Sequence, residues 1–358
     1  MILSRVALVT RGMVLALLLA ACEDRGMITV AKNTPPDAAI ENIFVATTRQ
    51  PAEGNLVFSS LRTSVLSFAR FDISIPPTHQ PGRIEWPEKP EKGADPSIDF
   101  ATREIVRYAT ARDFGSALRA NAQKARREAI VYVHGFNITF AEGTYRLAQL
   151  SHDLKSTSTA VHYSWPATQN TLEYTRDRDS VLFARDGFQS LLEILAAQPY
   201  DRIVIVAHSI GSNLVVETLR QIYLQRKTDV TRKLAGVVLI SPDIDTNLFE
   251  MQLSRIKPLP EPFVIFGDEA DLALKASAFL TGQSNRVGQL KDTEILRRYG
   301  VQFVNVTDVS DSEDKLSHTV AITSPTVLSI LQKLSMTGPL SYPEEGAVLQ
   351  TLIDAANL

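Results

Sequence analysis

Ala207-His208-Ser209-Ile210-Gly211 has the residue types and spacing of a serine held ready for nucleophilic attack. In a G-x-S-x-G pattern the serine occupies a sharp strand-to-helix turn, so the residues two before and two after it must be small. Alanine replaces the first glycine here, and its single methyl group suits the same space. Of the five residues Arg202 to Val206 ahead of the turn, four are apolar, and the run reads as a buried parallel strand. Ser212 to Gln225 follows with helical periodicity. That helix would aim its N-terminal N–H groups and positive dipole end at the serine, where an oxyanion would form.

A serine hydroxyl is a weak nucleophile without a base, an acid to orient that base, and donors for the oxyanion. In the strand-turn-serine arrangement the chain order is serine, acid, histidine. Of the six histidines (79, 134, 152, 162, 208 and 318), only His318 follows Ser209, in a polar loop before the last helix. The acid should follow the strand Pro262 to Phe266, where Asp268 and Asp271 flank Glu269. Asp268 would equally suit a helix N-cap and Asp271 a first-turn acid, so residue type leaves both open. Asp243 and Asp245, one strand earlier, are outside candidates. The oxyanion donors should be the N–H of Ile210 and one from the loop His134-Gly135-Phe136-Asn137. Gly135 would let the backbone approach the substrate, Phe136 would supply the second N–H, and His134 reads as a structural hydrogen-bonder.

Elements must position these groups. Asn42 to Arg49 reads as a first strand, and Asn55–Ser60, Ser67–Ile75 and Arg83–Trp86 as further short strands, mostly antiparallel. Ser116 to Arg127 is a helix candidate. From Ala129 strands alternate with long helices, the signature of a parallel sheet with crossover helices. The strands are Ala129–Val133, Ala160–Ser164, the Arg202 strand, Ala235–Ile240, Pro262–Phe266 and Val301–Val306. The helices are Phe140–Leu154, Asp179–Ala197, Ser212–Gln225 and one near Pro325–Leu334. Tyr174, Arg176, Asp177 and Asp179 read as a charged, structural start to the second of these helices, and Trp165 as core or rim. The acidic stretch Asp308 to Asp314 reads as a solvated loop. Too few residues separate Asp243 from Pro262 for a large helical cap, so the site is expected to be open.

The chain has 358 residues, 44% of them hydrophobic, and a formal charge of −3 without a stripe of Lys or Arg. Nucleic-acid binding has no electrostatic footprint here. With no Cys/His cluster, no metal and no cofactor are expected. Residues 1–21 carry Arg5, Arg11 and an apolar run Met13 to Ala21, too short to span a bilayer. Leu19-Ala20-Ala21-Cys22, holding the only cysteine, resembles the lipobox of bacterial lipoproteins, which implies cleavage before Cys22 and its acylation. Residues 22–41 then read as a tether, 42–335 as the folded domain and 336–358 as a C-terminal extension. The expected location is the bacterial cell envelope, lipid-anchored and outside the cytoplasm.

Taken in order, IFVATTR (43–49), VYVHGFN (131–137), YSWP (163–166), AHSIG (207–211), SPDID (241–245), DLAL (271–274) and the His318 loop resemble a family of α/β-hydrolases. That family was long catalogued as a bacterial domain of unknown function with an esterase/lipase-like fold, and the resemblance spans about residues 42–335. It implies a mostly parallel sheet flanked by helices, N-terminal antiparallel strands, and little or no cap. It also implies Asp271 rather than Asp268 as the acid. The expectation is a membrane-anchored serine hydrolase acting on carboxylic esters, lipid or envelope acyl groups among them. The competing reading is a catalytically idle hydrolase fold serving as an envelope interaction module, since fold alone does not establish activity.

Overall fold

A computed structural model describes residues 26–329 apart from 55, 56, 124–126, 283, 284, 291, 292, 310, 311, 313, 315 and 317. The leader with Cys22 and the expected extension 336–358 lie outside the described residues.

Nine strands form one sheet: β1 (Ala39–Pro51), β2 (Phe58–Ile75), β3 (Ala101–Tyr108), β4 (Glu128–Val133), β5 (Thr159–Ser164), β6 (Arg202–His208), β7 (Leu234–Ile240), β8 (Phe263–Gly267) and β9 (Gln302–Asn305). Their order is β3-β2-β1-β5-β4-β6-β7-β8-β9. From β1 to β9 every pairing is parallel; β2 alone runs against the others, antiparallel to both β1 and β3. The main helices are α1 (Ala111–Ala122), α2 (Phe140–Asp153), α3 (Tyr174–Ala196), α4 (Gly211–Leu224), α5 (Thr246–Leu253) and α6 (Leu272–Thr281).

Strands covered on both faces are mostly apolar, which is why β4, β6, β7 and β8 read as nearly continuous hydrophobic runs. Val131, Ile205, Leu239 and Ile265 are fully buried on one face, in a core shared with α3 and α4. Tyr132, Ile240, Val264 and Phe266 pack on the other face with α2 and the chain after β9. Burial of each such aliphatic side chain contributes about 1.5–3 kcal/mol. The chain leaves β4 for β5 on one side and reaches β6 on the other, so direction reverses between β4 and β6. A parallel sheet leaves a crevice at the carboxyl ends of strands where the order reverses. Val133 pairs with Ala207 there, bringing the loop His134–Phe136 level with the Ser209 turn.

Four expectations are corrected in the N-terminal third. The two short strands expected at Asn55–Ser60 and Ser67–Ile75 are one 18-residue strand, β2. Arg83–Trp86 is no strand; the Trp86 ring instead stacks on Tyr145 of α2 at 5.0 Å. The unexpected β3 is an edge strand whose charged Arg103, Glu104 and Arg107 hide its alternation. Residues 26–31 are no free tether: Ile28 and Thr29 are buried, the Ala31 N–H donates to the Thr102 carbonyl, and the Thr102 N–H donates to that of Thr29. Apolar Ile28 has a hydrophobic cluster to enter, and that outweighs the polar composition around it.

Candidate active site

Ser209 has φ +53°, a left-handed conformation that costs a non-glycine residue about 1–3 kcal/mol. The surroundings enforce it. The Ser209 N–H donates to the Ile240 carbonyl at 2.9 Å, and the Asp243 N–H donates to the Ser209 carbonyl at 3.2 Å. The turn is tight enough that a side chain at Gly211 would strike the His134 carbonyl, and one at Gly135 would meet Ser209 Cβ at 2.9 Å. Small residues at these positions are therefore demanded by contact. The serine is recessed, 3% exposed, with Gly135 on one side and the His208–His318 contact on another. In keeping with the expected lack of a large cap, the chain between β7 and β8 holds only the eight-residue α5.

His318 Nδ1 lies 2.7 Å from Asp271 Oδ2, and Asp271 is fully buried. Asp271 also caps α6, its Oδ1 accepting the Leu274 N–H at 2.9 Å. Both of its oxygens are thus fixed, and the carboxylate cannot swing away from the imidazole. Asp268 is buried too, but its side chain accepts the Ala270 N–H and makes no bond to His318. Burial lowers the His318 pKa, but the Asp271 hydrogen bond and charge, with Asp243 and Asp314, more than offset this and leave it raised.

Two further residues place the imidazole. Asp314 Oδ2 accepts the N–H groups of His318 and Thr319, both at 2.6 Å, and its Oδ1 accepts that of Leu316. The acidic stretch is therefore no solvated loop at its end: Asp314 wraps the backbone carrying His318. The ring of His208 packs on that of His318 at 4.7 Å, and its Nε2 sits 3.1 Å from the His318 carbonyl. Burial, followed by the His318 charge, holds His208 neutral with a pKa of about 3. Nε2 is then the protonated nitrogen that donates to that carbonyl. Sequence spacing could not single out His208, because it reads simply as the variable residue before the serine.

Among the described residues neither the Phe136 nor the Ile210 N–H has a hydrogen-bond partner, so two donors beside the serine are left free. The Phe136 loop is held from three directions. His134 stacks on Trp165 at 4.9 Å, and the Trp165 indole donates to the His134 carbonyl at 2.7 Å. Fully buried Arg49, at the end of β1, donates to the Ile138 carbonyl and to Ser164 Oγ, both at 2.9 Å. Asp177 accepts the Thr168 N–H at 2.8 Å; burial pushes its pKa up to about 6 despite that bond and one from the Asn137 N–H. Arg49 was missed from sequence; the available signal is an arginine close behind the apolar run Ile43–Ala46 of a buried strand.

Asp243, the outside candidate, is occupied elsewhere. It accepts the Tyr174 hydroxyl at 2.5 Å and Ser277 Oγ at 2.7 Å, and Arg286 Nε lies 3.1 Å away, close enough for an ion pair but misaligned for a hydrogen bond. Asp245 caps α5. With Ile210 and Asn213, the Tyr174–Asp243–Arg286 group lines a cavity of about 60 Å³. The described residues contain no group of three or more His, Cys, Asp or Glu that could hold a metal ion.

Sheet order, switch-point crevice and strained serine turn together define an α/β-hydrolase. Residues 109–335 match the family described as alpha/beta hydrolase of unknown function (DUF900), and the chain belongs to that family. No curated protein sequence matches it. Solved structures it is similar to include lipase B of Aspergillus fumigatus (16% identity, TM-score 0.39, 68% of this chain and 62% of that one). The chain thus spans under two thirds of the lipase. Others are a dienelactone hydrolase from Anabaena variabilis (11%, TM-score 0.37, 81% and 96%) and an esterase from the archaeon Pyrobaculum calidifontis (13%, TM-score 0.35, 91% and 86%).

Proposed function

We propose that the protein is a serine hydrolase of carboxylic esters, anchored in the bacterial cell envelope through an acylated Cys22 and working through an acyl-enzyme. The observation that carries the chemistry is the His318–Asp271 hydrogen bond, with the His318 ring packed on His208, the residue before a serine in a strained turn, and the Phe136 and Ile210 N–H groups without a partner among the described residues. His318 Nε2 removes the Ser209 proton as Oγ attacks the ester carbonyl. The Phe136 and Ile210 N–H groups receive the oxyanion, and buried Asp271 stabilises the imidazolium. His318 then returns the proton to the leaving alcohol, and water, deprotonated by the same histidine, releases the acid. No step calls for a cofactor.

Treatment of the full chain in detergent with a fluorophosphonate tests this reading. Serine Oγ displaces fluoride, and peptide mass spectrometry should find the adduct on Ser209, lost in His318→Ala. A folded, monodisperse sample that takes up no phosphonate would refute the hydrolase chemistry.

A further inference from the structure

The helix α6 starts at Asp271 and turns only Leu274 and Ser277 inward; Ser277 reaches Asp243, so the helix stays at the carboxyl edge of the sheet. Its outward side is apolar instead of polar. Phe279 is 86% exposed, Leu280 63% and Leu272 50%, with Lys275 the charged residue among them. The Leu272 N–H donates to the carbonyl of Leu316, itself half exposed, so the patch continues onto the loop of His318. A surface helix that faces water normally reverses this pattern, and an apolar patch rimmed by polar groups marks a contact surface.

A second observation identifies what the patch contacts. The described chain begins at Gly26, whose carbonyl accepts the Thr139 hydroxyl at 3.2 Å, three residues beyond Phe136 in the loop leaving β4. Residues 28–31 are pinned by burial and by bonds to Thr102, leaving no slack behind Gly26. Three residues separate Cys22 from Gly26, so four residue steps span at most about 14 Å. An acyl chain on Cys22 would therefore enter the bilayer beside the candidate site.

We infer that the carboxyl edge of the sheet rests on a lipid bilayer, with Leu272, Phe279, Leu280 and Leu316 among the headgroups and the site opening toward the membrane surface. Lys275 faces the anionic headgroups. The esters that reach Ser209 are then those presented by the membrane. The inference rests on the lipid anchor of the proposed function and not on its chemistry.

The test uses the acylated full chain in vesicles of phosphatidylethanolamine and phosphatidylglycerol. Cys22 is the only cysteine, and acylation consumes its thiol. A fluorophore at Phe279→Cys, or at Asp229→Cys between α4 and β7 on the opposite edge, is therefore unique. Flotation reads the anchor; quenching by aqueous iodide reads the orientation. The expected result is flotation, with most iodide quenching lost at position 279 and retained at 229. A chain that stays with the soluble fraction overturns the anchor and the orientation together. Flotation with both labels equally quenched, or both shielded, overturns the orientation and leaves the anchor standing. Ser209→Ala should give the same readings, because nothing measured depends on turnover.

Discussion

At the residue scale the site is a contest over one proton. Burial disfavours a charged His318, yet Asp271 more than compensates and raises its pKa. Two consequences of opposite sign follow. The His318–Asp271 pair stabilises the fold fully below the ordinary imidazole value near 6.5, and this contribution fades as pH rises through the raised value. Catalysis needs the unprotonated ring, so kcat/KM should rise with pH to an inflection above 6.5. Asp271→Asn keeps a helix cap, because asparagine also accepts at that position. It should nevertheless lower kcat about 10³–10⁴-fold and move the inflection to lower pH. Asp268→Asn should leave kcat within about tenfold, or ~1.4 kcal/mol of barrier. Measured pH profiles for the two variants check both statements, and equal losses would reverse the assignment. Sequence reached Ser209 by the small-x-Ser-x-Gly turn and His318 by chain order. Residue type left Asp268 and Asp271 level, because both occupy positions where a helix start favours aspartate, and the preference for Asp271 came from the family resemblance. Only coordinates show that one carboxylate can cap α6 and hold an imidazole with its other oxygen.

Elements position these residues through loops, and there the sequence is least transparent. Strand–helix alternation from β4 onward was legible because fully buried parallel strands leave a nearly continuous apolar run. β3 escaped because an edge strand carries charges on its open side. Asp314 looked like part of a solvated acidic stretch, since a carboxylate that binds backbone N–H groups has the same composition as one that binds water. Its oxygens take the N–H groups of Leu316, His318 and Thr319. Burial works against this carboxylate, but those bonds leave its pKa lowered. Asp314→Ala should free the loop and lower the rate of phosphonate labelling at Ser209 about 10²-fold, the scale of a 1 Å misplacement. The melting temperature should fall as well, because the N–H groups of Leu316, His318 and Thr319 lose their acceptor. A labelling rate equal to that of the unaltered protein would show that the loop keeps its shape without Asp314. Arg49, near the carboxyl end of β1, fixes the neighbouring loops. Fully buried, it donates to the Ile138 carbonyl in the loop after β4 and to the Ala167 carbonyl in the loop after β5, and Arg49→Met should lower labelling and stability together.

For the whole molecule, the interior of the sheet sets the response to acid. His162 and His208 are buried with pKa values near 3, and His134 is pushed well below 6.5, in each case chiefly by burial. In the unfolded chain all three titrate near 6.5. Between about 6.5 and 3 the unfolded chain therefore binds more protons than the fold, and stability falls as pH falls. Each imidazole contributes a slope of at most ~1.4 kcal/mol per pH unit. Asp177 acts in the opposite sense: its folded pKa of about 6 exceeds the ordinary aspartate value, so from 6 downward the fold takes up one proton first. The imidazoles outnumber it, and the net slope is set by the excess. For a fold of ordinary stability, about 5–15 kcal/mol, the loss is large enough to unfold the protein a few pH units below neutrality. Guanidinium unfolding followed from pH 7 to 4 should show this decline. His162→Leu removes one titrating group whose Nε2 has no hydrogen-bond partner, and it should flatten the slope by one proton over the same range. Stability that is flat with pH, or a His162→Leu slope matching that of the unaltered chain, would mean that the buried rings take up protons without unfolding the sheet.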